Sequence, residues 1–180
     1  MISKEIDQDI ELKGLKLIHP TIFNDERGFF LETFHADRYK DMGIDVNFVQ
    51  DNHSYSSYAT LRGMHFQSHP GQAKLVSVSQ GKIFDVVVDI RKDSPTFMQW
   101  QSFILDDVYK AQLFVPNGFA HGFCVLSDHA HVQYKVSQFY NPDTEKGFHY
   151  LDGEIGIKWP IDEVTLSNRD LHAPKFCEVM

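Results

Sequence analysis

Cysteine is scarce: Cys124 and Cys177 are the only two in 180 residues, and they form no C-x-x-C pair. That spacing excludes a zinc ribbon and a thioredoxin-type redox centre. The glycine-rich loops that cradle phosphates are missing as well. Neither G-x-G-x-x-G nor the G-x-x-x-x-G-K loop occurs, so dinucleotide and P-loop readings have no support. No apolar run approaches the roughly 20 residues that a helical membrane span needs. The opening stretch, Met1–Gly14, is charged throughout and holds no apolar core of a secretory signal, which predicts a cytoplasmic protein that binds no membrane. Basic charge is also in deficit, with Lys+Arg 17 against Asp+Glu 25 and a net charge of −8. Nucleic acid is therefore not an expected partner, because backbone affinity requires a basic face.

Hydrophobic residues make up 42% of the chain and aromatics 13%, including 15 Phe. Such a chain folds. Its length predicts one domain, residues 1–180, that buries roughly 70% of the surface its unfolded form exposes. Strand signals dominate. Leu15–Phe23, Phe29–Phe34, Val46–Gln50, Leu61–Gln67, Lys74–Ser79, Lys82–Asp89, Trp100–Leu105, Ala111–Val115, Gly122–Leu126 and His131–Phe139 read as extended runs between turn residues. Ser79–Lys82 reads as a hairpin turn. His35–Met42 is the best helix, stopped by Gly43. Many short strands with few helices predict an all-β sandwich or barrel.

Two polar clusters stand in apolar surroundings. In Leu61–Gln67, strand alternation puts His65 and Gln67 on one face and Arg62 on the other. Gly63 permits a bulge that would bring Arg62 to the His65 side. Two readings stay open at this point: a solvent-facing arginine with a hydrogen-bonded core histidine, or a polar site. The second cluster, Pro116–Gly122, places His121 just after a tight turn. This P-x-G-x-x-H spacing resembles the second motif of the cupins, which are double-stranded β-helix, jelly-roll barrels. Where the first cupin motif carries metal ligands, this chain has His65, Gln67 and Lys74. An ammonium facing a divalent cation is repulsive, so no metal is expected. Lysine and histidines in such a barrel suit instead a substrate that develops negative charge.

The resemblance then becomes specific. Arg62–Gln67, Lys74–Val76, Phe84–Arg91, Ser94–Thr96, Pro116–Phe123, Tyr134–Lys135, Ile157–Pro160 and Leu166–Asp170, with Asp25–Phe30 and Phe48–Ser54 upstream, are similar to the dTDP-4-dehydrorhamnose 3,5-epimerase family in order along nearly the whole chain. The resemblance implies a homodimeric cupin barrel with short peripheral helices and an N-terminal segment, within residues 1–50, that contributes to the dimer. It also implies an isomerase that inverts C3, C5 or both of a nucleotide-diphosphate 4-keto-6-deoxy-sugar through an enolate, with no cofactor. By the same resemblance His65 is the base, Asp170 its orienting carboxylate, Tyr134 the acid on the far face and Lys74 the enolate-stabilising cation. Arg27 and Arg62 match the diphosphate-binding arginines. Phe30, Glu32, Gln50, Asn52, Asp85, His121 and Tyr140 match other substrate-binding positions, with Arg27, Phe30 and Glu32 reaching the partner's site. The chain departs from the family pattern at Ser77, Met98 and Phe139. Competing readings are a single-centre epimerase, a GDP-4-keto-6-deoxy-heptose epimerase, a non-catalytic sugar-binding cupin and a metal-dependent cupin oxygenase.

Overall fold

A computed structural model describes residues 11–180; residues 1–10, the start of the segment expected at the dimer contact, lie outside the described residues. Two five-stranded antiparallel sheets face each other. The first has the order β1 (Lys16–Ile18), β9 (Gln112–Val115), β6 (Lys74–Gln80), β11 (His129–Val136) and β4 (Gln50–Ser57). The second runs β12 (Glu145–Gly147), β5 (Leu61–Gln67), β10 (Phe119–Val125), β7 (Lys82–Asp89) and β8 (Trp100–Asp106). A separate two-stranded sheet joins β2 (Ile22–Asp25) to β3 (Gly28–Leu31). The helices are short: α1 (Ala36–Asp41), α2 (Asn168–Leu171) and α3 (Phe176–Val179). The strand pattern's all-β expectation holds, and the facing sheets form the jelly roll that the resemblance implies. No helix among the described residues is long and apolar enough to cross a membrane.

Apolar side chains fill the space between the sheets and cover both outer faces. Val76, Val78, Leu113 and Val132 of the first sheet meet Ile83, Val87, Phe123 and Val125 of the second. Behind the second sheet, Met64, Phe66, Phe84, Val86 and Val88 pack on Phe148, Ile155, Ile157 and Phe176 of the C-terminal segment. Behind the first sheet, Leu75 and Phe114 pack on Ile18, Tyr39 and Ile44. Strand β7 is thus buried on both faces, which explains why Asp85 alone interrupts its apolar run from Ile83 to Val88. Each fully buried Val, Leu or Phe contributes about 1.5–3 kcal/mol relative to exposure.

Several expected boundaries move for physical reasons. The run Leu15–Phe23 divides into β1 and β2 around His19-Pro20, where proline has no N–H for a ladder. Only Gln50 of Val46–Gln50 is extended in a strand, and β4 continues through Ser57. The turn at Gly81 is not a hairpin: β6 pairs with β9 and β11, whereas β7 pairs with β8 and β10, so the chain crosses between sheets there. Glycine is required at this corner, because φ is +89° and a Cβ would lie 2.1 Å from the His129 carbonyl oxygen.

At the end of β7, the buried Asp89 carboxylate organises the following loop. Its Oδ1 accepts from the Arg91 backbone N–H and Nε, and its Oδ2 accepts from Arg91 Nη2, Ser94 Oγ and Thr96 Oγ1 at 2.6–2.7 Å. The Arg91 guanidinium also lies 4.3 Å from the Phe119 ring centroid, at the start of the strand that carries His121. Burial alone would raise the Asp89 pKa, but the bonds from Arg91, Ser94 and Thr96 prevail and hold it at about 2. A carboxylate with a depressed folded-state pKa stabilises the fold above its unfolded value, near 4, and loses that contribution as pH falls toward 2. Asp89→Asn is therefore expected to cost about 3 kcal/mol at neutral pH, or roughly 6–12 °C in Tm. Calorimetry of both proteins checks this. The gap between them should close between pH 4 and pH 2, and a constant gap across that window would remove Asp89 ionisation as the cause.

Candidate active site

The register of β5 decides which of its side chains meet. His65 lies opposite His121 of β10, yet Arg62 lies opposite Phe123, so β5 carries one extra residue between these pairs. This bulge sits at Gly63–Met64 and turns Arg62 and His65 toward the same face. Gly63 has a φ of +130°, and a Cβ there would lie 2.6 Å from Gly122 Cα. The bulge therefore depends on glycine at this position. Met64 and Phe66 point into the core behind the sheet, which leaves His65 and Gln67 facing the space between the sheets.

Alternation on the other strands sends further polar groups to that space. On β6, Val76 and Val78 face inward, and so does Lys74. On β7, Ile83 and Val87 face inward with Asp85 between them. On β10, Phe119 and Phe123 bracket His121. On β11, Tyr134 packs against the same core and lies opposite Asn52 of β4. One mouth of an otherwise apolar barrel is thus lined by Arg62, His65, Lys74, Asp85, His121 and Tyr134.

Helix α2 closes the mouth from outside. Its N-cap is Ser167, whose Oγ accepts from the Asp170 N–H at 3.0 Å. Asp170 Oδ1 lies 2.6 Å from His65 Nε2. Burial would raise the Asp170 pKa, but the bonds from His65, Ser167 and the Gly63 N–H hold it below the usual carboxylate range. An ionised Asp170 fixes the proton on His65 Nε2 and leaves Nδ1 with the free lone pair. A second such pair lies beside it, with His121 Nε2 2.8 Å from Asp85 Oδ2.

Burial brings Lys74 down to about 8, opposed by the negative charges of Asp85 and Glu145. Burial likewise raises Tyr134, with Glu145 adding to the shift and Arg62 opposing it, so its phenol is protonated at neutral pH. Arg62 donates from Nε to Ser56 Oγ at 3.0 Å and from Nη2 to the Tyr55 carbonyl at 3.3 Å. Its guanidinium is held at the rim, exposed to solvent. Cavities of about 420 and 560 Å³ adjoin His65, Arg169 and Asp170, the larger one also lined by Glu145. A 310 Å³ cavity on the first sheet, lined by Asp51, His53, Ser77 and Gln133, contains neither His–Asp pair.

Other expected positions fall into two groups. Gln50 and Asn52 share a hydrogen bond of 2.8 Å, and Gln50 accepts from the Tyr140 N–H at 3.0 Å. Tyr140 is half-exposed, and its hydroxyl bonds Glu145, which raises its pKa. These three residues stand together at the rim. Arg27, Phe30 and Glu32 do not join them within this chain. They belong to the β2–β3 hairpin and its exit, where Arg27 pairs with Asp25 and Glu32 with Arg38.

The motif reading did not single out Glu145 and Arg169, which pair at 2.6 Å across the mouth. Glu145 sits opposite Gln67 in the register of β12 and β5. No spacing in the surrounding Asn-Pro-Asp-Thr turn signals it. Arg169 stands next to Asp170, and that adjacency is the one available hint. Among the described residues, no group of three or more His, Cys, Asp or Glu is arranged to hold a metal ion.

Comparisons with known proteins place the chain in a family. The family model described as dTDP-4-dehydrorhamnose 3,5-epimerase matches residues 9–178. A dTDP-4-dehydrorhamnose 3,5-epimerase from Shigella flexneri is 46% identical over 170 residues, covering 93% of this chain and 94% of that protein. A dTDP-4-dehydrorhamnose 3-epimerase from Streptomyces niveus is 42% identical over 164 residues, covering 90% of this chain and 79% of that one. Among solved structures, a dTDP-6-deoxy-D-glucose-3,5-epimerase from Legionella pneumophila, in complex with dTDP-4-keto-L-rhamnose, superimposes with a TM-score of 0.92. It is 48% identical, with 95% of this chain and 92% of that chain covered. With the model match spanning nearly its whole length, the chain belongs to the dTDP-4-dehydrorhamnose 3,5-epimerase family.

Proposed function

We propose that this protein is an epimerase that inverts carbons flanking the C4 ketone of a nucleotide-diphosphate 4-keto-6-deoxy-sugar, of the dTDP-4-dehydro-6-deoxyglucose type. The observation that carries this reading is the His65–Asp170 pair, facing the same barrel mouth as Lys74 and Tyr134. The ketone acidifies the protons on C3 and C5. His65 Nδ1 takes one of them, and Asp170 stabilises the resulting imidazolium. The Lys74 ammonium faces the enolate oxygen. The Tyr134 phenol returns a proton from the opposite side, which inverts the carbon. Solvent exchange then resets both groups. Arg62 at the rim offers the diphosphate a planar fork of donors.

A single-centre reading is kept alive by the 42% identity to a 3-epimerase. Incubation of the dTDP-4-keto-6-deoxy-sugar with enzyme in D2O, followed by NMR, separates the two. Deuterium at both C3 and C5 supports double inversion. Deuterium at one carbon supports the single-centre reading, and none at either refutes epimerisation of this substrate.

The working form is a homodimer. Hairpin β2–β3 exposes Phe23, Phe29 and Phe30 at 60, 57 and 69%, an apolar surface suited to a second copy. Arg27, Phe30 and Glu32 on that hairpin and its exit then complete the partner's site. Small-angle scattering should give the mass of two chains at micromolar concentration; the mass of one chain would refute the dimer.

A further inference from the structure

We infer that Asp85 is a positioning residue: it does not meet the sugar, but it fixes the edge that His121 presents and supplies the negative charge beside which the Lys74 ammonium sits. This inference rests on the epimerase reading above. It departs from the expectation that Asp85 binds substrate. Asp85 is 0% exposed, and its Oδ2 is taken by His121 Nε2 at 2.8 Å. Its Oδ1 is buried and has no hydrogen-bond partner among the described residues. A carboxylate removed from water with one oxygen unsatisfied is costly unless positive charge lies close by. Lys74 provides that charge from the facing sheet.

Geometry supports the same assignment for His121. With Nε2 directed at Asp85, the ring turns its Nδ1 edge toward the barrel mouth. The ring is itself mostly buried, and it lies directly across from His65 in the strand register. Six groups share the mouth that Lys74 meets: Asp85 from β7, Glu145 from β12, Arg62 and His65 from β5, His121 from β10 and Tyr134 from β11. Only Asp85 and Glu145 carry negative charge among them, and both raise the Lys74 pKa against the effect of burial. Neutralising Asp85 removes one of the two. The lysine should then lose its proton at lower pH, and the reaction should lose its cation with it.

Asp85→Asn is the test, because the amide keeps the shape and removes the charge. In protein with ¹³C-labelled lysine, the Lys74 signal, assigned by its loss in Lys74→Arg, should titrate near pH 8 in the wild type. In Asp85→Asn its midpoint should fall by about one pH unit. The basic limb of kcat/KM against pH should move the same way, with kcat down by roughly 10²-fold and KM nearly unchanged. A lowered Tm with an unmoved lysine midpoint and an unmoved basic limb would show Asp85 to be structural only, and would overturn the inference. Should the variant fail to fold, the wild type decides. Long-range ¹H–¹⁵N spectra must then show a proton on His121 Nε2, the edge bonded to Asp85. Its absence overturns the proposal. Both NMR readouts are independent of turnover, so an inactive protein that shows them would refute the epimerase reading and leave the placement of Asp85 intact.

Discussion

His65→Asn is expected to abolish epimerisation and solvent deuterium exchange together. The imidazole has the one free lone pair, at Nδ1, that the Asp170 contact leaves facing the mouth. Asparagine fills similar space but cannot accept a proton near neutral pH. Without the first proton transfer no enolate forms, so exchange and inversion share the same loss. General bases contribute about 10²–10⁴-fold, and a loss at the upper end is expected because proton abstraction starts both inversions. The fold should survive the change. The His65 side chain is 25% exposed, and Asp170 keeps its bonds from Gly63 and from the Ser167 cap. NMR of the sugar in D2O measures both quantities in one experiment. Exchange persisting at wild-type rate would remove His65 from the base role.

Tyr134→Phe should separate what His65→Asn loses at once. The phenylalanine ring still packs against the inner core, and only the hydroxyl is lost. Burial and the neighbouring Glu145 hold the Tyr134 pKa above its ordinary value, so the phenol is a proton donor, not a base, at working pH. Its removal leaves enolate formation by His65 in place. Inversion should fall by roughly 10²–10⁴-fold while exchange falls less, because His65 can return deuterium to the original face. The signature is deuterium incorporated with retained configuration. If exchange falls as far as in His65→Asn, the division of labour between the two residues is wrong.

Legibility in the sequence followed the solvent exposure of each strand. Strands β6, β7, β9 and β10 are buried on at least one face, and their apolar runs marked them. Strand β4 largely escaped because it is polar on both faces. Asp51, His53, Tyr55 and Ser57 face outward, while Gln50, Asn52, Ser54 and Ser56 face the polar mouth, so no hydrophobic alternation remains. Three- and four-residue elements such as β12, α2 and α3 are too short for any periodicity to register. The missed residues follow from this: Glu145 lies on β12 and Arg169 on α2.

Composition and missing motifs by themselves excluded redox-cofactor loops, disulfide frameworks and nonspecific nucleic-acid affinity, because those properties depend on counts and local spacing. The ordered motifs were enough to predict the family and the barrel. What only tertiary structure decided was the company each polar residue keeps. His65 and Asp170 are 105 residues apart, and no local pattern couples them. Arg62 shares a face with His65 because β5 carries one extra residue at Gly63–Met64, and in a strand a shift of one residue reverses the side-chain direction. Asp85 reads in sequence like any inward polar residue. It is the packing of two sheets that sets it against His121 and brings its charge near Lys74.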